Sequence, residues 1–197
     1  ADVFDPEVPE SWRMDLFGLI KRTQFLHWLL LTKREDAMQR WFQHYLHDPH
    51  WPYPNVWLGV TIEHADVAAG RYWGLMNTPA VGRFLSCEPL LTDIPIAHDV
   101  DWVIAGGESG SLARITEPAY ARSLRDQCEH MKIPFFWKGW GEWAPRIDIP
   151  EHVKVSEAIG GQNGLMFRVG RRNPWKLLDG HEHMEFPWQK EIKKGNQ

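Results

Sequence analysis

Val56-Trp57-Leu58-Gly59-Val60-Thr61-Ile62 (residues 56–62) is seven residues without a charge, followed at once by Glu63. An uncharged run this short, rich in β-branched residues, reads as a strand covered on both faces, as in parallel sheets. Working outward, four more short apolar runs appear: His27-Trp28-Leu29-Leu30-Leu31 before it, then Arg83-Phe84-Leu85-Ser86-Cys87, which opens on a charge, Trp102-Val103-Ile104-Ala105 and Ile133-Pro134-Phe135-Phe136-Trp137. Between them the period changes to that of a helix. Met38, Trp41, Phe42 and Tyr45 share a face in 36–46. Ala68, Tyr72, Leu75 and Met76 do so in 65–77, closed by Pro79. Tyr120, Leu124, Cys128 and Met131 do so in 117–131, where Thr116 is the expected N-cap and Pro118 falls in the first turn. Strands alternating with helices predict parallel pairing through right-handed crossovers. Segment 88–101 has no helical period and is rich in Asp and Pro, so that crossover is expected to be a loop.

Both ends of the chain depart from the alternation. Ser11 is the expected cap of a helix carrying Trp12, Leu16, Leu19 and Ile20, which runs into the first strand. In a βα series a helix follows a strand, so one or two βα units are expected upstream of it. Beyond about residue 140, turn residues such as Gly139, Gly141, Gly160, Gly161, Gly164 and Gly170 surround short strands such as Leu165–Val169. The fold expectation is therefore α/β: a partial (β/α) barrel of parallel strands over residues 1–143, with a turn-rich C-terminal cap over 144–197 that frays from about Lys190.

Composition bounds the function. A hydrophobic content of 43% with 24% charged residues excludes a disordered chain. A net charge of −4 disfavours a dedicated nucleic-acid binder, leaving only a local basic groove around Arg168, Arg171 and Arg172. Two cysteines cannot build a disulfide framework, and no stretch reads as a membrane span or signal peptide, so the expected location is cytoplasmic. The twelve Trp read first as core and surface packing, second as stacking platforms for bases or sugars. His47 with His50, and His181-Glu182-His183, read as solvated surface clusters, with no native metal expected.

In parallel α/β folds ligands bind at the carboxyl ends of the strands, where loops and helix N-termini converge. Each run here ends in a charged residue: Lys33, Glu63, Glu88, Glu108 and Lys138. Gly106-Gly107-Glu108-Ser109-Gly110 is the sharpest of these ends, because glycines let a ligand approach and leave backbone N–H groups able to donate. The expected binding residues are Lys33, Glu63, Gly106, Gly107, Glu108 and Ser109, with Lys138 as the cation nearest Glu108. Cys87, Glu88 and Lys138 are the catalytic candidates, Cys87 as a thiol nucleophile at a strand end. The expected partner is a small molecule or nucleotide. Cys128, on an apolar helical stripe, reads as core.

The runs "LLLTKRED", "PNVWLGVTIE", "RFLSCEPLL", "DWVIAGGESG", "RSLRDQC", "PFFWKGWGEW" and "LLDG" resemble, in order and over nearly the whole chain, a phage-derived family of unknown function labelled gp thirty-seven/gp sixty-eight. "ADVFDPEVPE" resembles the segment after that family's second strand. The resemblance implies a partial barrel related to radical-SAM enzymes, with S-adenosylmethionine and an iron–sulfur cluster held by an upstream cysteine-rich loop. That loop is not in this sequence, so no cofactor is expected for this chain itself. Three functions follow as expectations: a radical-SAM-like enzyme, a non-catalytic nucleotide- or partner-binding module, and a nucleic-acid-modifying protein that exploits the Trp residues.

Overall fold

A computed structural model of the chain describes residues 2–44, 48–97, 99–170 and 176–188. Tyr45, His47, Arg171, Arg172 and the tail from Lys190 lie outside the described residues. Helix α1 (Glu10–Arg22) precedes strand β1 (Trp28–Thr32), followed by α2 (Glu35–His44), β2 (Val56–Thr61), α3 (Ala65–Met76), β3 (Gly82–Cys87), β4 (Trp102–Ala105), α4 (Pro118–Met131) and β5 (Phe135–Trp137). The five strands form one parallel sheet in the order β1-β2-β3-β4-β5. Every strand lies within two residues of its apolar run, and no helix joins β3 to β4 among the described residues.

The helix starts differ from expectation. Pro9 and Glu117, not Ser11 and Thr116, occupy the cap positions of α1 and α4, and neither side chain caps its helix. The Glu117 carboxylate instead accepts the Gln162 backbone N–H at 3.0 Å, 45 residues away. A tertiary contact has taken the group that a local motif would use.

Alternation along the strands separates two faces. Leu30, Leu58, Val60, Leu85, Cys87, Val103, Ala105, Phe135 and Trp137 join Phe17, Ile20, Met38, Trp41, Leu75, Leu124 and Cys128 in one core, so all four helices cover this face. Trp57, Phe84, Trp102, Ile104 and Phe136 point the other way and cluster with Phe186 and Trp188. On that second face the rings lie flat across the neighbouring strand. A Cβ on Gly59 would come within 2.3 Å of the Phe84 ring, and one on Gly82 within 2.3 Å of Trp57. Glycine stands there because an aromatic ring fills the place of its side chain.

The C-terminal part adds a three-stranded antiparallel sheet, β6 (Trp143–Pro145), β7 (Ala158–Gly161) and β8 (Gly164–Arg168) in the order β6-β8-β7. A hairpin of β9 (Leu177–Leu178) and β10 (His181–Glu182) follows. Its two turn residues, Asp179 (φ 54) and Gly180 (φ 78), are both left-handed, as an Asp-Gly hairpin requires. Ala144, Ile149, Met166 and Leu178 belong to the helix-side core, so this part packs on the sheet domain rather than beside it. Residues 183–185 then run antiparallel along the outer edge of β5. Trp137 N–H donates to His183 O (2.8 Å), Glu185 N–H donates to Phe135 O (3.1 Å), and Phe136 bridges Met184. From there Phe186 and Trp188 cross the second face toward His27 at the start of β1. No helix among the described residues is long and apolar enough to cross a membrane.

Candidate functional site

The sheet register sorts the second face into rows. Leu31, Gly59, Phe84 and Trp102 form one row, and Thr61, Ser86, Ile104 and Phe136 form the next toward the carboxyl ends. One step further, past the last paired residues, stand Glu63, Glu88, Gly106 and Lys138, with Lys33 beside Thr61. An aromatic lower half thus gives way to hydroxyls and then to a charged rim.

The rim charges pair with one another. Lys138 Nζ donates to Glu88 Oε2 at 2.8 Å, and Ser86 Oγ donates to the same oxygen at 3.0 Å. Glu88 and Lys138 extend strands that are two apart, and they meet across β4 over Gly106. A Cβ there would lie 3.0 Å from Glu88 Oε1 and 3.3 Å from Lys138 Cβ. Lys33 Nζ donates to Glu63 Oε1 at 3.1 Å. Arg71 of α3 lies 3.6 Å from Glu63 Oε2, bonds Glu35 Oε2 at 3.0 Å and donates to Thr61 O. Burial pushes the Glu63 carboxyl up, but the Lys33 hydrogen bond and the Lys33 and Arg71 charges outweigh it, and its pKa is lowered. Sequence reasoning missed Arg71. Its signal was a cation inside the apolar stripe of Ala68, Tyr72 and Leu75.

Three expectations need correction. Lys138 is not the cation of Glu108. Arg114 donates to Glu108 through Nε (2.8 Å), Nη2 (2.9 Å) and its backbone N–H (2.8 Å), and these bonds lower the Glu108 carboxyl to about 2. A partner six residues along the same loop reaches Glu108 more readily than a strand end already engaged with Glu88. The backbone of Gly106 and Gly107 is also spoken for: Gly106 N–H donates to Cys87 O (3.2 Å) and Gly107 N–H to Gly139 O (2.9 Å). Gly107 serves close backbone packing, since a Cβ there would sit 1.9 Å from Trp140 O. Ser109 is exposed on the same loop. Finally, Cys87 faces the core, because strand parity sends Ser86 and Glu88 to the second face and Cys87 to the helices. It is fully buried, and burial raises its thiol well above the ordinary range, the reverse of what a nucleophile needs.

Cys128 is buried as well, and its thiol is pushed up to about 12. Two core thiols are too few for an iron–sulfur cluster of this kind, which takes at least three cysteine thiolates. Among the described residues no group of three His, Cys, Asp or Glu side chains is arranged to hold a metal ion. Arg168, the described member of the expected basic groove, is paired with Glu142 at 2.8 Å and Glu157 at 3.3 Å.

A cavity of about 390 Å³ opens at the rim, lined by Leu31, Thr32, Thr61, Lys33, Arg34 and the acids Asp2 and Asp5. A larger one, about 460 Å³, opens at the opposite end of the sheet, around His27, Trp57, Asp101, Lys132 and Trp188. Its aromatic faces are occupied by each other: His27 stacks on Trp188 (4.9 Å, 7°), and Phe186 stacks on it too (5.4 Å, 28°). That makes it a packing seam, and the rim is the better candidate site.

No curated protein and no solved structure is significantly similar to the chain. A family model described as a protein of unknown function (DUF5131) matches residues 1–187. Given that coverage, the chain belongs to the DUF5131 family of proteins of unknown function.

Proposed function

We propose that the parallel sheet is part of a (β/α) barrel and that its carboxyl-end rim binds a small molecule or nucleotide. The carrying observation is the row of Glu63, Glu88 and Lys138 with Lys33, on the face the helices leave open, above an aromatic lower half. The order β1-β2-β3-β4-β5 supports the barrel part, because consecutive parallel neighbours with helices on one side are how such barrels are built. The cavity at the β1 end of the rim, which Lys33 lines but Glu63, Glu88 and Lys138 do not, is within the size range of small-ligand sites. Glu88 would accept from a ligand ammonium or hydroxyl, Lys138 would donate to a carboxylate or phosphate, and each neutralises the other when no ligand is present. In a polypeptide that also supplies a three-cysteine loop, this reading extends to the radical-SAM-like chemistry of the phage-derived family.

The test is calorimetric titration of the chain with S-adenosylmethionine and with nucleoside mono- and triphosphates. Glu88→Gln or Lys138→Met should weaken binding by ~1.5–3 kcal/mol, the range for a hydrogen bond to a charged group, with the melting temperature little changed. Binding unaffected by both changes would overturn the rim assignment. Two observations favour a second reading, a non-catalytic binding module: both thiols are buried, and the rim charges named above are paired. Ligand binding without turnover, in a polypeptide that carries the cysteine loop and a reconstituted cluster, would decide for the module.

A further inference from the structure

We propose that residues 183–188 form a strap that lies seated on the parallel sheet at neutral pH and is released by acid, with His183 as the residue that takes up the proton. The strap is anchored at few points. Two backbone hydrogen bonds tie it to β5, from Trp137 N–H to His183 O and from Glu185 N–H to Phe135 O. Phe135 N–H donates to the Glu185 carboxylate (3.2 Å), and Trp102 Nε1 donates to Glu185 O (2.9 Å). Beyond them, Phe186 and Trp188 rest on Trp102, Phe136 and Trp57. His183 stands where the strap leaves the β9–β10 hairpin, so a change there acts on all of it.

The surroundings of His183 suit a neutral imidazole. The ring lies against Phe135 (5.8 Å), and the Leu178 backbone, which favours protonation, is outweighed by burial. Its Nε2 is buried with no hydrogen-bond partner among the described residues. A proton on that nitrogen would be a buried donor with nothing to donate to, which costs a full desolvation penalty. The charged groups around it oppose one another. Arg125 of α4 and His181 of β10 disfavour the imidazolium, and Glu185 of the strap favours it. Arg125 is itself held by Asp179 at the hairpin turn (2.7 Å), which blunts its repulsion. Burial is the largest effect, and it lowers the His183 pKa below the ordinary 6.5. The seated strap therefore binds the proton less well than the released one. The contribution of His183 to seating is fully present above the ordinary histidine value and is lost as the pH falls below it toward the lowered one.

Release would uncover Trp57, Trp102 and Phe136 and leave β5 as a bare edge. The test is amide hydrogen exchange by NMR, corrected for intrinsic rates, at about pH 7.5 and about pH 5.5, which bracket the histidine range. Protection of the Trp137 and Glu185 amides should fall severalfold at the lower pH, while Leu58 and Val60 in β2 keep theirs. His183→Gln should abolish the difference, and His181→Gln should leave it in place. In the unmodified chain the His183 ring signals should titrate in step with the loss of protection, a reading that needs no variant. Equal protection at the two pH values, a response that survives His183→Gln, or a ring titration out of step with the loss would each overturn the proposal.

Discussion

The two end strands of the parallel sheet are treated in opposite ways. Along β5, residues 183–185 supply backbone partners, and Phe186 and Trp188 cover the face beside it. Along β1, no strand pairs with the outer edge among the described residues; the Asp2 carboxylate accepts from Thr32 Oγ1 (2.7 Å) and Lys33 N–H (2.9 Å) at its end. Leu29 and Leu31 are 39% and 38% exposed, and Phe25, just ahead of the strand, is fully exposed. Trp12 and Leu19 of α1 are exposed as well. An edge strand exposes unpaired backbone groups and is a liability unless it is paired, covered or charged. β5 is paired and covered. β1 is apolar and carries its first charge only at Lys33, beyond its end.

One row of the sheet turns this contrast into numbers, since Leu31, Gly59, Phe84 and Trp102 lie side by side across it. Trp102→Ala, under the strap, should cost ~3–5 kcal/mol, the range for truncating a buried aromatic residue. Leu31→Ala, in the same row but uncovered, should cost under ~1 kcal/mol. Urea denaturation of the two variants checks this, and similar losses would show that both ends of the row are equally buried in solution.

Phe186→Ala comes next, because it removes one ring of the strap and leaves the backbone pairing with β5. About 1.5–3 kcal/mol should be lost, as for exposing one large apolar side chain. The dye ANS should then bind more strongly, reporting the uncovered face. A loss without added dye binding would mean that the ring stabilises the chain but does not cover the sheet.

Asp179→Asn tests how the hairpin that leads into the strap is held. Asp179 bonds Arg122 (2.6 Å) and Arg125 (2.7 Å), and these partners lower its carboxyl from 3.8 to about 2. Because the folded value is the lower one, the stabilisation is complete above the ordinary carboxylate range and is lost as the pH falls toward 2. At pH 7 the change should cost about 1 kcal/mol, allowing for solvent screening at a partly exposed pair. Thermal melts of the two proteins should draw together as the pH falls through 3 and converge at about pH 2 and below. A gap that persists there would assign the loss to the turn geometry instead of the charge.

The smallest effect on stability should come from Leu29→Lys on the uncovered edge, within about 0.5 kcal/mol. Its readout is association: light scattering at high concentration should fall, as expected when a charge guards a bare edge. Unchanged scattering would show that the β1 edge is already protected in solution.

How much of this was legible beforehand follows from the range of each interaction. The apolar runs, the helical stripes as far as they lie in the described residues, and the 88–101 crossover, helix-free among the described residues, depend on neighbours a few residues apart, and they appear as read. Strand parity was equally local. Ser86 and Glu88 had to share a face that Cys87 does not, so the thiol's burial was open to the same reading that found the strand. Asp179-Gly180 was a hairpin turn in plain view, although "LLDG" entered only as part of a resemblance. The rim positions could be named from the ends of the runs, but their partners could not.

What the sequence determined by itself is thus a parallel α/β architecture and the set of charged residues at its carboxyl ends, because both follow from periodicities of two and of 3.6 residues. Tertiary structure decided who pairs with whom. Glu88 reaches Lys138, 50 residues away, across Gly106 on the intervening strand, where even a Cβ would press on both side chains. Glu108 turns to Arg114 because the loop after β4 folds back on itself. Residues 183–188 reach β5 from a hairpin whose Asp179 turn is held on α4 by Arg122 and Arg125. Distances through space between residues far apart in the chain set the first and last of these choices, the fold of a single loop sets the second, and no periodic pattern encodes any of them.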